Sequence, residues 1–270
     1  MAPSGALFLL GDNMIITTSY KINSRIMSRV DEFVQSYPMT YVARKKLTLN
    51  NLFQIHNCPI VVVTNTRIIY ATETGQLYFH PNLAQVRSKR IELGQSDAMV
   101  SACGLSKGMR FLDCTMGLGS DSLIASQVVG DAGEVVALES NSIIHMIVKM
   151  GMRFYPFENQ SLALAASRIK FEHTHYLDYL KTINDNAFDV VYFDPMFDES
   201  IKEDTPLEAL QMVADYNSLD IETINEAKRV AKKYVIMKNH YTSDRFRSLG
   251  FTQQIRKTSQ FHYGVIDADV

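Results

Sequence analysis

Apolar and polar positions change rhythm partway along this 270-residue chain. Early on, short apolar runs lie close together: "MIITTS" from Met14, "TYVARK" from Thr40, "PIVVVTN" from Pro59, "RIIYAT" from Arg67 and "LYFHP" from Leu77. Each has the length and residue types of a strand, and "ETG" at 73–75 is a turn signal, so the last three predict hairpin strands. Between the first two, "SRIMSRVDEFVQSY" repeats its apolar residues at helical spacing. "TLNNLFQIHN" predicts a second, shorter helix with Thr48 as its N-cap. Helical spacing returns over 82–105 and "SKG" at 106–108 ends it.

Beyond that break the pattern alternates between strand runs and helical stretches. The strands are "RFLDC" (110–114), "EVVALES" (134–140), "IKFEHT" (169–174), "DVVYFD" (189–194) and "YVIMKN" (234–239). The segments between them, such as "SIIHMIVKMGMRFY", have helical length and an apolar face that packs on a sheet. Near-continuous apolar strands separated by helices predict a parallel, doubly wound α/β sheet covered on both faces. The tail differs: "FTQQIRKTS" and "FHYGVIDA" follow one another almost directly, which predicts an antiparallel hairpin closing the sheet edge. The boundary falls near residue 104. Residues 14–104 are expected to form a smaller N-terminal α/β domain whose helical stretch bridges to a second domain, 105–270. Residues 1–13 read as an extension or a disordered tail, too short in their apolar core for a signal peptide or a membrane span.

Composition narrows the picture. With 46% hydrophobic and 21% charged residues the chain has the make-up of a soluble globular protein. Cys58, Cys103 and Cys114 have no C-x-x-C spacing, which argues against a disulfide framework or a zinc site and fits a reducing cytoplasm. Net charge is −2, so no global basic field announces nucleic acid. Charge is nevertheless uneven: residues 1–104 carry 10 Lys/Arg against 6 Asp/Glu, the remainder 17 against 23. Three basic clusters stand out, "RKK" (44–46), "RSKR" (87–90) and "KRVAKK" (228–233). Most such clusters are solvated faces; "RSKR", directly ahead of the second half, is the one best situated for RNA.

The candidate chemistry lies at strand ends. The first strand of the second half runs into "DCTMGLGSDS", with Asp113, Gly117, Gly119 and Asp121. Glycines at a strand-to-helix turn let the backbone approach a ligand and free a helix N-terminus. The strict dinucleotide form fails, because Ser122 stands where a third glycine belongs. The second strand ends in Glu139, 22 residues after Gly117, where an acid accepts hydrogen bonds from ribose hydroxyls. NAD and S-adenosylmethionine both carry that ribose, so Glu139 does not choose between them.

The fourth strand ends in "FDPMF". Asp and Pro are ordinary turn formers, but Asp194 would lie beside the first strand, at the switch point where ligands bind. Asp194 and the carbonyl of Pro195 can accept both N–H bonds of an exocyclic amine, and Phe197 can stack on its ring. Hydride transfer has no use for that trio, so it favours methyl transfer over an NAD-type oxidoreductase. A catalytically idle binding protein on the same fold would not need it either. His173 and His175 share a strand face, but no carboxylate or cysteine is spaced to complete a metal set, and His175 reads better as an adenine or ribose contact.

At these residues the chain resembles the class I S-adenosylmethionine-dependent methyltransferases, more narrowly the small-subunit ribosomal RNA guanine-N2 methyltransferase family of the RsmJ type. The shared features are "DCTMGLGSD", "LESN", "VVYFDPMF" and "VIMKNHY", the last including Lys238. The resemblance covers roughly 82–265. It implies a Rossmann-like sheet with S-adenosyl-L-methionine held by Ser120 and Asp121, Glu139 and Ser140, His175 and Tyr176, and Asp194. It implies ribosomal RNA, methylated at guanine N2, as substrate, while the residues themselves ask only for an amine on a flat ring; a small molecule or a protein also fits that demand. The chain departs from the family at Ser120, Ser140, His175 and Tyr176, and in the acidic run after Phe197.

Overall fold

The computed structural model describes residues 14–195 and 219–268. Phe197, the acidic run after it and residues 1–13 lie outside the described residues. The described chain forms two compact units. One comprises residues 14–80 and 142–156, the other 81–141, 157–195 and 219–268.

The smaller unit is built on a five-stranded sheet, β1 (Ile15–Thr18), β2 (Thr40–Tyr41), β3 (Ile60–Val63), β4 (Ile68–Ala71) and β5 (Gln76–Tyr78), in the order β2-β1-β3-β4-β5. β1 runs parallel to β2 and β3, and the two hairpins β3–β4 and β4–β5 are antiparallel. Helix α1 (Ser24–Ser36) buries Ile26, Val30 and Phe33 at the predicted spacing. Helix α2 (Leu49–His56) starts at Thr48, whose hydroxyl accepts from the Asn51 N–H while the Asn51 side chain accepts from the Thr48 N–H. The reciprocal pair satisfies two otherwise orphaned donors. The run "TYVARK" pairs only over Thr40–Tyr41. Arg44 explains the early exit: its guanidinium lies 4.1 Å over the Tyr20 ring and bonds the Leu47 carbonyl, drawing the chain into a turn.

The larger unit holds a seven-stranded sheet, β6 (Arg110–Asp113), β7 (Glu134–Glu139), β8 (Lys170–His173), β9 (Phe188–Phe193), β10 (Ala231–His240), β11 (Thr252–Gln254) and β12 (Phe261–Asp267). Its order is β11-β12-β10-β9-β6-β7-β8. The five strands from β8 to β10 are parallel, and β12 and β11 add the antiparallel hairpin at the edge. The expected doubly wound sheet and its closing hairpin are both present. The order in which strands are laid down across the sheet reverses between β6 and β9, so the carboxyl ends of these two parallel strands flank the switch point.

Residues 82–105 form two helices rather than one, α3 (Asn82–Glu92) and α4 (Ala98–Cys103). Gly94 breaks the first, and Asp97 caps the second by accepting from the N–H groups of Met99 and Val100. Of the remaining helices, α5 (Ser120–Val129), α7 (Gln160–Arg168), α8 (Tyr176–Thr182), α9 (Ile221–Val230) and α10 (Arg245–Ser248) belong to the larger unit, whereas α6 (Ser142–Phe154) belongs to the smaller. Among the described residues no helix is long and apolar enough to cross a membrane.

Candidate active site

The loop from β6 to α5 is fixed by its neighbours on both sides. The Cys114 N–H donates to the Tyr192 carbonyl on β9, and the Met116 N–H to the Leu138 carbonyl on β7, each at 2.9 Å. Gly117 and Gly119 both have positive φ (50° and 74°), and Gly119 is the N-cap of α5. These dihedrals are costly for residues with a Cβ. Ser120 and Asp121 follow as the first two residues of the helix.

Asp113, 1% exposed, ends β6 beneath this loop. One of its oxygens accepts from the Thr115 N–H at 3.1 Å and the other from the Ser122 hydroxyl. Burial, with the negative charges of Asp121 and Asp194 nearby, pushes its pKa up to about 7. Thr115 also receives the Asp194 N–H on its hydroxyl at 2.6 Å, so it links the ends of β6 and β9.

Glu139, the expected ribose acid, is at the carboxyl end of β7. Its Oε2 accepts from the Gly117 N–H at 3.1 Å and its Oε1 from the Asn141 N–H at 2.9 Å. The carboxylate thus braces the glycine loop. Beside it, the Ser140 carbonyl meets the ring Nε2 of His173 at 3.0 Å. His175 caps α8, its Nδ1 receiving the Leu177 N–H at 3.3 Å. The buried Nε2 of His175 has no hydrogen-bond partner among the described residues. Its ring centroid is 4.1 Å from that of Tyr176, which in turn packs edge-on against Phe193.

Asp194 follows β9, with Pro195 next to it. Its Oδ2 accepts from the Lys238 ammonium at 2.6 Å, while its buried Oδ1 has no partner among the described residues. Burial raises its pKa and Lys238 opposes that rise. Asp121 is a neighbour of this pair rather than a freely exposed acid: Oδ1 pairs with Arg87, Oδ2 accepts from the Tyr192 hydroxyl at 2.8 Å, and Lys238 is 3.8 Å away. Burial works against its charge, and Lys238 and Arg87 nonetheless hold its pKa down.

The expected residues Asp113, Gly117, Gly119, Ser120, Asp121, Glu139, Ser140, His175, Tyr176, Asp194 and Pro195 therefore gather at the carboxyl edge of one sheet. Three participants escaped the reading of individual motifs. Thr115 sits inside "DCTMG" without a distinguishing signal. Arg87, counted in the basic cluster "RSKR", holds Asp97 with two nitrogens at 2.8 and 2.9 Å and Asp121 with the third. With Ser88 fully buried, only Lys89 and Arg90 of that cluster face solvent. Lys238 entered only through resemblance, although a lysine directly after the buried run Val235–Met237 calls for a partner. Among the described residues no group of three or more His, Cys, Asp or Glu side chains is placed to hold a metal ion.

A glycine cradle free of Cβ atoms, an acid at the next strand end and two unpartnered buried polar atoms suit a cofactor that carries a nucleoside. Comparison with known proteins agrees. Residues 65–262 match the family model described as "Putative SAM-dependent methyltransferase". The "Uncharacterized protein YpiP" of Bacillus subtilis is 38% identical over 93% of this chain and 98% of its own length. "Ribosomal RNA small subunit methyltransferase J" of Marinobacter nauticus is 29% identical over 38% of this chain and 37% of its own. Its namesake in Hahella chejuensis is 28% identical over 54% of each. A SAM-dependent methyltransferase from Neisseria gonorrhoeae shares the fold, with a TM-score of 0.61 at 15% identity over 94% of this chain and 95% of that one. The chain belongs to the S-adenosylmethionine-dependent methyltransferases, and S-adenosylmethionine is its cofactor.

Proposed function

We propose that this enzyme methylates an exocyclic base amine of RNA, with guanine N2 of small-subunit ribosomal RNA as the target. The observation that carries the reading is the end of β9, where Lys238 occupies one oxygen of Asp194 and the other is buried without a donor. A buried acceptor left unpaired costs about 1–3 kcal/mol, so a donor arriving there is strongly favoured. An amine can give one N–H to Asp194 Oδ1 and the other to the Pro195 carbonyl. Held this way, its nitrogen is bent out of conjugation with the ring and its lone pair is freed. When bound, the cofactor supplies an electrophilic methyl group. Asp194 then takes the proton that the nitrogen sheds, and Phe197 would stack on the base.

Glu139 and Ser140 are proposed to hold the ribose, His175 and Tyr176 the adenine, and Gly117, Gly119 and Ser120 the amino-acid end. Asp113 supports the loop from below through Thr115, and Asp121 links the start of α5 to Arg87, Tyr192 and Lys238. The choice of ribosomal RNA draws on the named methyltransferase J relatives and on the sequence "FDPMF"; such a substrate would put the enzyme in the cytoplasm. Lys89 and Arg90 are the exposed members of the cluster that would meet phosphate.

The test supplies enzyme and methyl-labelled cofactor to small ribosomal subunits, and separately to their bare RNA, from a strain lacking the gene. Digestion to nucleosides should place the label in N2-methylguanosine, and Asp194→Ala should remove it. Label absent from every nucleoside while cofactor binding is intact would move the substrate to a protein or a metabolite.

A further inference from the structure

Five charged side chains alternate in sign through the larger unit: Asp97, Arg87, Asp121, Lys238 and Asp194. They come from the N-cap of α4, from α3, from the first turn of α5, from β10 and from the end of β9. The Arg87 side chain is 13% exposed and those of Asp97 and Asp121 10% and 14%, so the chain of charges runs largely out of water. Ion pairs of this kind are costly to assemble, and removing one partner leaves an uncompensated charge behind. A surface network would be cheap and dispensable; this one needs a use.

Its geometry points to that use. β9 and β10 are in parallel register with Met237 opposite Phe193, and Lys238 and Asp194 are the next residue on each. Lys238 donates to Asp194 Oδ2 at 2.6 Å and stands 3.8 Å from Asp121, with its ammonium 5.7 Å from the Phe261 ring centre. Asp121 is already engaged by Arg87 and by the Tyr192 hydroxyl, so it holds Lys238 in line without drawing it away from Asp194. Meanwhile the Asp194 N–H donates to the Thr115 hydroxyl, which ties the backbone at this residue to the loop after β6.

We propose that Lys238, steadied by Asp121, is a positioning residue that turns Asp194 Oδ2 into the protein and leaves Oδ1 for the substrate amine. This rests on the reading of Asp194 as the acceptor of that amine. Lys238 does not touch the amine itself. The groups facing Asp194 are Lys238 from β10, Asp121 from α5, Arg87 from α3, Asp113 from β6, Tyr263 from β12 and Tyr192 from its own strand. Lys238 and Arg87 favour the ionised carboxylate; burial and Asp121 disfavour it.

Lys238 and Asp121 therefore have opposite effects on Asp194, which a purely structural role would not produce. Protein carrying aspartate labelled with carbon-13 at the carboxyl group would be titrated by NMR, the Asp194 signal being identified by its loss in Asp194→Asn. Lys238→Met should raise the Asp194 midpoint by about one pH unit or more, the usual effect of losing an adjacent opposite charge. Lys238→Arg should restore it, and Asp121→Asn should lower it. If Lys238→Met fails to fold, Lys238→Gln and Asp121→Asn carry the same comparison. An unchanged midpoint in the lysine variants, or shifts of the same sign in lysine and Asp121 variants, overturns the proposal. Because the titration needs no substrate, it stands apart from the proposed function: full methyl transfer by Asp194→Ala would sink that reading while leaving the Lys238 contact as measured.

Discussion

At the scale of single residues, this sheet edge is a set of acids given different tasks by their surroundings. Glu139 uses both oxygens on backbone N–H groups of the loop and the turn after β7. Glu139→Ala removes the proposed acceptor of the ribose and the brace of Gly117 together. It should weaken S-adenosylmethionine binding by about 1.5–3 kcal/mol, measured by calorimetry; an affinity within twofold of the parent would mean that Glu139 does not face the ribose. Asp113 has the opposite character. Its folded pKa, raised to about 7, exceeds the unfolded value of about 3.9, so folding favours the protonated acid. Stability is lost as pH rises from about 4 to about 7, because the unfolded chain ionises first, at up to about 1.4 kcal/mol per pH unit. Asp113→Asn keeps an acceptor for Thr115 and should raise the melting temperature at pH 8, with the gain shrinking toward pH 4. A gain that does not vary with pH would show that burial of this acid is not what costs stability. Both acids were legible from their positions at strand ends. The raised pKa of Asp113 was not, because its burial and the charges of Asp121 and Asp194 decide it.

At the scale of elements, the apolar runs specified all five parallel strands and the closing hairpin. They fit best at the central strands β6, β7 and β9, which are buried on both faces over most of their length, so that their residues need no alternation. The pattern faltered where one side chain redirected the backbone, as Arg44 does after β2, or where a glycine and a cap divide one apparent helix into α3 and α4. "GQSD" at 94–97 holds both signals, a breaker followed by an N-cap, and the continuous apolar spacing masked them. Within α6, Gly151 meets the Phe79 side chain: a Cβ added there would lie 2.2 Å from the Phe79 Cβ. Gly151→Ala would gain about 1 kcal/mol in helix propensity but would overpack a buried contact by about 1–3 kcal/mol or more. With so short a separation the clash should win, lowering the urea midpoint by the equivalent of about 1–2 kcal/mol. A stabilised variant would mean that α6 can shift away from Phe79.

At the scale of the whole molecule, the sheet and the family are plain from sequence, whereas the wiring of the charges is not. Lys238 and Asp194 are 44 residues apart, and Arg87 and Asp121 are 34 apart. Only the strand register and the packing of α3 on α5 bring them together. Connectivity at this scale has a further consequence. The chain leaves the smaller unit after residue 80, returns to it at 142 for α6, and leaves again after 156. No single cut can therefore separate the two units as intact pieces. A fragment beginning at Pro81 would carry α6 with Ile144, Ile147, Val148 and Met152, all buried in the full chain, but without the strands of its own unit. A fragment ending at His80 would lack a helix that its sheet requires. The units are compact like domains yet inherited as one piece, and any transplant of the catalytic sheet into another protein must bring its smaller companion along.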